Sequence, residues 1–291
     1  MARTLTHINN YLSLVKFAHT VFALPFAMIG FTLAVSDDRY IFSYRLFGLV
    51  LLSMVFARSA AMGFNRYVDR DIDSINPRTK KREIPAGIIK ENSARFFTLL
   101  MGTLFIATSF FINPLCFYLS PVALTIVLGY SFTKRFTSLA HFFLGLGLSL
   151  APIGAYLAVT GIFDIIPVLF SASVLLWVGG FDVIYALQDE EFDKSNNLKS
   201  IPAWLGKRTS LWVSSICHFL SILLIVIAGY LGPFGTFFWI GVLIFSLLIV
   251  YQHLLVKPND LSRVNVAFFT LNGIASILFA MFVIADLLLH Y

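Results

Sequence analysis

Residues 165–193 read IIPVLFSASVLLWVGGFDVIYALQDEEFD, a long apolar run that ends in a group of acids. About 20 apolar residues in a helix cross the roughly 30 Å hydrocarbon core of a bilayer, so this run predicts a transmembrane helix. Its final turns carry Asp182, Asp189 and Asp193. Carboxylates are unfavourable beside hydrocarbon, and the group therefore requires a compensating cation.

The rest of the chain repeats the apolar pattern. Of its 291 residues, 58% are hydrophobic and 12% are charged, whereas about 25% are charged in a typical soluble domain. We predict an all-α polytopic membrane protein whose nine transmembrane helices form a single domain over residues 1–291. The predicted spans are 14–36, 44–67, 95–113, 115–132, 138–160, 165–188, 209–230, 235–255 and 264–288.

Basic residues predict the orientation, because cytoplasmic loops of membrane proteins are enriched in Lys and Arg. With a cytoplasmic N-terminus, only Arg39 and Arg45 of the 21 basic residues would face outside. Nine helices then put the C-terminus outside. This asymmetry also explains the net charge of +6, so we expect membrane lipid around the chain and no nucleic acid as a partner.

A second acidic cluster, NRYVDRDID at residues 65–73, ends the second predicted helix. Basic residues and an Ile-Pro-Ala sequence follow both clusters, at 84–86 and at 201–203. This correspondence indicates an internal repeat in which helix two matches helix six. Such a repeat predicts a pseudo-symmetric bundle around one central cavity, with cytoplasmic cap loops at about 68–94 and 189–208.

Polar residues in each cluster recur at helical spacing. Positions four or seven apart share one face of an α-helix. Each cluster has three such residues: Asn65, Asp69 and Asp73 in the first, and Asp182, Asp189 and Asp193 in the second. Three neighbouring acids fall on other faces and are expected to be ordinary loop-edge charges: Asp71, Glu190 and Glu191.

Oxygen ligands of this kind suit Mg²⁺, which keeps several waters and binds through carboxylates and substrate phosphates. We predict that both trios hold the metal, except Asp182, which lies two turns deeper than Asp189. Nearby basic side chains would hold the remaining phosphate charge. They are Arg78, Lys80, Lys81, Arg82 and Lys134. The alternative is a pair of helix ends that carry solvated charge pairs.

The two clusters resemble the signatures of the UbiA superfamily of intramembrane prenyltransferases. The resemblance lies in Asn-x-x-x-Asp-x-x-x-Asp at 65–73 and Asp-x-x-Tyr-Ala-x-x-Asp-x-x-x-Asp at 182–193. Further segments are similar to the 4-hydroxybenzoate polyprenyltransferase branch. They are RSAAMGFN at 58–65, Arg78-Thr79, YSFTKRFT at 130–137, His141, Ala151-Pro152 and SIPA at 200–203. The chain also resembles forms from menaquinone-making bacteria, in which the acceptor is a dihydroxynaphthoate.

The resemblance implies an activity. Members have nine transmembrane helices around a central cavity, and Mg²⁺ bound by the two motifs holds an isoprenyl diphosphate. The expected reaction transfers a polyprenyl chain from polyprenyl diphosphate to an aromatic acid acceptor in ubiquinone or menaquinone biosynthesis, with release of diphosphate. The expected location is the bacterial inner membrane.

Two further groups of residues complete the predicted site. Residues expected to bind diphosphate are Lys134, by resemblance, with Arg78, Arg82, Arg135 and Lys16. Residues expected at the reacting groups are Asp182, Arg58 and Tyr185. Asp182 could orient a ligand, pair with a cation or activate the acceptor hydroxyl. Arg58 could bind an acceptor carboxylate or a motif aspartate, whereas core packing is the alternative for Tyr185.

Other functions remain open at this point. The same fold with another acceptor, such as haem or a glycerol-lipid, is one alternative. A cation-coupled transporter is another, because intramembrane acids and internal repeats also occur there. Two features argue against a transporter. The acids lie at the predicted cytoplasmic ends of the helices, and the basic loops favour the binding of phosphate.

Overall fold

A computed structural model describes residues 10–11, 13–15 and 22–289, and this part of the chain is helical without a β-strand. The α-helices are α1 (Leu24–Val35), α2 (Tyr44–Val68), α3 (Arg70–Ile75), α4 (Glu91–Ile112), α5 (Pro114–Thr133), α6 (Ala140–Thr160), α7 (Ile165–Ala186), α8 (Glu190–Ser195), α9 (Ile201–Leu231), α10 (Thr236–Leu255) and α11 (Asn272–Leu289). A 3₁₀ turn, Leu187–Asp189, joins α7 to α8, and a π-helical segment, Val266–Leu271, precedes α11.

The predicted polytopic membrane fold is confirmed. In the described part of the chain, eight helices are long and apolar enough to cross a membrane. The first predicted span, 14–36, contains only the shorter α1 among described residues. The count of nine spans thus stays a prediction.

The break predicted at Asn113-Pro114 lies between α4 and α5. Asn113 is extended, with φ −162° and ψ 165°. Its side-chain Oδ1 accepts a hydrogen bond of 2.8 Å from the amide of Cys116, which satisfies a free N–H in the first turn of α5. Pro114 begins that helix at a position where the missing N–H costs nothing.

The predicted cap loop at 189–208 is largely helical, contrary to the expectation of a loop. α9 begins at Ile201, eight residues before the predicted apolar span. Ser200 caps the helix by accepting from the amide of Ala203, and Pro202 suits the first turn. Gly206 interrupts α9 with φ +76°, a left-handed conformation that glycine adopts without steric cost. Hydropathy detects only the apolar part beyond this kink.

The chain forms two compact units. The first unit comprises the described parts of Met1–Thr20 together with Gly48–Phe132, and the second comprises the described parts of Val21–Phe47 and Thr133–Tyr291. In the first unit, Leu14 packs with Ile84, Ile89 and Ala94, which fastens the segment after α3 to the start of α4.

The second unit has an aromatic core built from α1, α7, α10 and α11. Phe26 and Trp177 lie 5.3 Å apart between ring centroids, and Trp177 lies 5.7 Å from Phe245. The indole N–H of Trp177 donates to Asn272 Oδ1 over 3.0 Å. Asn272 donates in turn to the carbonyl oxygens of Ala267 and Phe268 in the π-helical segment. This side chain thus supports the irregular backbone at the start of α11.

Helices α6 and α7 approach closely at a glycine. A Cβ added to Gly145 would collide with the backbone oxygen of Leu175, whereas Gly154 on the same helix has open space around it. Small residues of this kind allow membrane helices to pack backbone against backbone.

We predict that Gly145→Ala destabilises the protein and that Gly154→Ala does not. Overpacking a tight contact costs about 1–3 kcal/mol, which would lower the Tm by roughly 5 °C. Thermal unfolding of both variants in one detergent measures the difference. An equal Tm for the two variants contradicts the close α6–α7 contact.

Candidate active site

The first acidic cluster lies in the first unit, at the junction of α2 and α3. α2 ends at Val68, and Asp69 has φ −88° and ψ 0° before α3 begins. The amide of Asp69 still donates to Asn65 O over 2.9 Å, and that of Asp73 donates to Asp69 O over 2.7 Å. This i→i−4 pattern keeps the three residues on one side. Asn65 Nδ2 also donates to Asp69 Oδ2 over 3.0 Å.

The segment after α3 supplies a cation to the cluster. Arg82 Nη1 lies 2.7 Å and 2.8 Å from the two carboxylate oxygens of Asp73, which is buried. Thr79 Oγ1 donates to the backbone oxygen of Asp73 over 3.2 Å. Arg78 is exposed, and its amide donates to Asn76 Oδ1 over 2.9 Å. The predicted phosphate-binding Arg82 therefore contacts a predicted metal ligand.

Sequence reasoning missed a buried ionic group in the first unit. Arg66 and Glu83 are 3% and 7% exposed, with Arg66 Nε 3.9 Å from Glu83 Oε2. Ser13 donates its hydroxyl to Glu83 Oε1 over 2.6 Å. Because Arg66 lies next to Asn65 in an apolar helix, the sequence indicated that its side chain is buried and has an acidic partner. The identity of that partner was not predictable, because Glu83 follows a run of basic residues that is typical of a surface loop.

The second cluster lies in the second unit, and its middle aspartate has a backbone conformation similar to that of Asp69. α7 passes through the 3₁₀ turn to Asp189, which has φ −102° and ψ 3° before the six-residue α8. Asp69 has nearly the same dihedrals before the six-residue α3. This bridge region of φ/ψ space is sparsely populated and recurs at active sites. Neither aspartate caps the short helix that it precedes.

Each trio was expected to line one side of its helix over two or three turns, and the structure divides each trio between two helices. α2 ends at Val68, one residue before Asp69, and α7 ends at Ala186, three residues before Asp189, so Asp73 and Asp193 lie on the separate short helices α3 and α8. In both clusters a six-residue helix follows an aspartate with similar dihedrals, whereas a 3₁₀ turn precedes only Asp189, and the internal repeat stays a prediction. Asp71 is exposed beside Arg70, as expected of a loop-edge acid, whereas Glu190 is only 8% exposed and pairs with Lys194 over 2.6 Å.

Two contacts in the second unit involve residues to which the sequence analysis assigned no role. His141 Nδ1 lies 2.7 Å from Asp182 Oδ2. Ser200 donates its hydroxyl to Asp193 Oδ2 over 2.7 Å. The serine before Ile-Pro-Ala was a recognisable N-cap signal. The histidine lies 41 residues before Asp182, and no local pattern predicts that contact.

The remaining predicted residues are distributed over the two units. Lys134 is half-buried between α5 and α6, and Arg135 beside it is exposed. Tyr185 stacks on Phe268 with centroids 4.1 Å apart, a contact typical of core packing. Arg58 is half-buried in α2. Lys16, a predicted diphosphate ligand, lies outside the described residues.

The donor atoms of both clusters fit a hard cation. They are carboxylate and amide oxygens, which are the ligands of Mg²⁺ in proteins. Among the described residues, however, no three His, Cys, Asp or Glu side chains form a ready metal cage. Mg²⁺ commonly takes one or two carboxylates and completes its shell with water and substrate phosphates. The residues present therefore fit a metal that arrives with a phosphorylated ligand.

Known proteins resemble this chain over most of its length. The sequence profile of the UbiA prenyltransferase family matches residues 23–274. A 4-hydroxybenzoate octaprenyltransferase of Francisella tularensis subsp. novicida (strain U112) is 30% identical over 236 residues, which cover 80% of this chain and 82% of the relative. An enzyme of the same name from Shewanella halifaxensis (strain HAW-EB4) is 28% identical over 235 residues, covering 81% and 82%.

Solved structures share the fold. A UbiA homologue from Aeropyrum pernix K1 in its apo form has a TM-score of 0.83 and 32% identity, and the match covers 92% of this chain and 98% of that one. A UbiA homologue from Archaeoglobus fulgidus, solved with GPP and Mg²⁺, has a TM-score of 0.73 over 96% and 99% of the two chains. Its identity of 21% supports a likeness of fold alone.

Proposed function

The chain belongs to the UbiA prenyltransferase family, in the branch that resembles 4-hydroxybenzoate polyprenyltransferases, and we propose that it prenylates an aromatic acid. The donor is a polyprenyl diphosphate, and diphosphate is released. One observation carries the proposal: Asp69 and Asp189 each precede a six-residue helix, in a backbone conformation that recurs at active sites. Named relatives with 30% identity support the aromatic acceptor.

In this proposal the carboxylates of each cluster would hold Mg²⁺, which would bring a diphosphate with it. Bound Mg²⁺ neutralises the charge of the diphosphate and so makes it a better leaving group. Arg78, Arg82 and Lys134 add fixed positive charge, which acts most strongly where water is scarce. Arg82 reaches a phosphate only by sharing its guanidinium with Asp73, which it contacts here.

Departure of diphosphate breaks the C–O bond and leaves an allylic cation on the prenyl chain. Aromatic faces stabilise such a cation, and the chain is rich in them, with 31 Phe and 11 Tyr. The electron-rich acceptor ring then forms the new C–C bond. Asp182 takes a proton from the acceptor, which restores its aromaticity, and Arg58 binds the acceptor carboxylate.

We predict that Asp69→Ala and Asp189→Ala each lower prenyl transfer by at least roughly 100-fold, because each removes a carboxylate that holds the metal and diphosphate. Purified variants in detergent, supplied with Mg²⁺, a polyprenyl diphosphate and 4-hydroxybenzoate, are compared by product formation. Asp71→Ala and Glu191→Ala are the matched controls, since both side chains are exposed beside the proposed ligands. Full activity of the wild type in excess chelator contradicts the assignment of a metal to this site.

The acceptor separates the remaining alternatives within the family. We expect turnover of 4-hydroxybenzoate or a dihydroxynaphthoate, and none of haem or glycerol phosphate. Mass spectrometry of the quinone intermediates in a deletion strain identifies the acceptor in the cell. A block after hydroxybenzoate assigns the protein to ubiquinone biosynthesis, and a block after a naphthoate assigns it to menaquinone biosynthesis. Exclusive prenylation of a glycerol-lipid contradicts the proposal.

We propose that the N-terminus and both acidic clusters lie on the cytoplasmic side of the bacterial inner membrane. The segment between α1 and α2 supports this orientation, because Arg39 pairs with Asp37 over 2.5 Å. Hydrogen bonds from Arg39 lower the pKa of Asp37 to about 2, so its carboxylate is charged at neutral pH. With Asp38 nearby, this segment carries no excess of positive charge.

We predict that a cysteine at Ile162, between α6 and α7, reacts with a membrane-impermeant maleimide in intact spheroplasts. A cysteine at Lys80, after α3, should react only after lysis. Both are introduced after replacement of Cys116 and Cys217. The reverse labelling pattern refutes the orientation.

A further inference from the structure

Consecutive residues before and at the start of α9 are bonded to distant parts of the second unit. The amide of Lys199 donates to the backbone oxygen of Lys134 over 2.8 Å. The next residue, Ser200, donates its hydroxyl to Asp193 Oδ2 over 2.7 Å. A hydroxyl has only one hydrogen to donate, and the oxygen accepts from Ala203 N over 3.3 Å. Ser200 thus caps α9 and holds Asp193 at the same time.

The third residue of this series acts through a histidine. The amide of Ile201 donates to His141 Nε2 over 3.3 Å. A backbone N–H can only donate, so Nε2 carries the lone pair and the ring hydrogen is on Nδ1. That hydrogen is donated to Asp182 Oδ2 over 2.7 Å. The side chain of His141 is 6% exposed and that of Asp182 is 21% exposed, so the carboxylate is held from its buried side.

We propose that His141 and Ser200 are positioning residues, through which the first turn of α9 orients the carboxylates of Asp182 and Asp193. The inference rests on the proposed function, in which Asp182 accepts a proton from the acceptor and Asp193 binds the metal. The turn is well fixed for this purpose, because Pro202 restricts its backbone and Ile201 is 2% exposed. A single turn of helix then sets the geometry of two separate functions.

Two substitutions separate the bonds of His141. Asparagine places an amide near Nδ1 and retains the donor to Asp182, whereas glutamine places it near Nε2 and retains only the acceptor for Ile201. We expect His141→Gln to lower kcat/KM for the aromatic acceptor by roughly 10-fold to 100-fold. The KM for the prenyl diphosphate should stay unchanged, and His141→Asn should recover most of the loss.

Ser200 predicts a different kinetic change. We expect Ser200→Ala to raise the Mg²⁺ concentration for half-maximal activity about 10-fold, as is usual when a partner of a metal ligand is lost. Ser200→Thr should restore it. Ser214→Ala is the control on the same helix, because this buried hydroxyl donates to Gly180 O and contacts neither acid. It should change neither constant, whatever its effect on stability.

The network is also tested without turnover. Nitrogen NMR of ¹⁵N-histidine-labelled wild type, with His141 assigned from the His141→Asn spectrum, should show the neutral Nδ1–H tautomer. An Nε2–H tautomer overturns the proposal, as do equal losses in the asparagine and glutamine variants or wild-type kinetics in both. If the wild type transfers no prenyl group to any acceptor, the proposed function is wrong. The hydrogen bonds of His141 are then tested by the NMR tautomer measurement alone.

Discussion

A carboxylate at the end of an apolar helix must be compensated, and this requirement shapes the segments around both clusters. Asp73 is buried and contacts Arg82, which fixes the path of the chain after α3. Asp193 accepts from Ser200, and this contact coincides with the start of α9. Removing one partner from a buried polar pair costs more than the pair gains. The need to give each buried aspartate a partner therefore constrains the backbone of the segment that supplies the partner.

The two clusters are similar in backbone at their middle aspartate and differ in the donor that contacts their third aspartate. In both clusters an aspartate in the bridge region precedes a six-residue helix. In the first cluster, the third aspartate contacts a guanidinium from its own following segment. In the second, the corresponding Asp193 contacts a neutral hydroxyl. The third aspartate of each cluster is thus held by a different kind of donor, a guanidinium in the first cluster and a hydroxyl in the second.

Sequence patterns predicted the features that depend on local chemistry. Apolar length gave the membrane helices, and the Asn113-Pro114 break follows from the missing N–H of proline. Helical spacing grouped Asn65 with Asp69, which bond to one another. The second helix was predicted to end at 67 and ends at Val68, whereas the short helix α3 was not predicted, because its residues were assigned to a cap loop.

Features that depend on distant contacts were out of reach of the sequence. His141 contacts Asp182, which is 41 residues away in the sequence, and Glu83 accepts a hydrogen bond from Ser13, which is 70 residues away. Such pairs form because helices pack in three dimensions, and no periodicity in one segment encodes the partner in another. Tyr185 shows the same effect, since its stacking on Phe268 requires the π-helical segment before α11.

The kink at Gly206 has a consequence for how the surface of α9 is drawn. On a helical wheel for residues 201–231, Trp204, Arg208 and Trp212 would form one stripe at four-residue spacing. A φ of +76° at Gly206 resets the rotational phase of the helix between the first two of these residues. Only Arg208 and Trp212 then share a face, and both are exposed. Residues on either side of the glycine belong to two separate wheels.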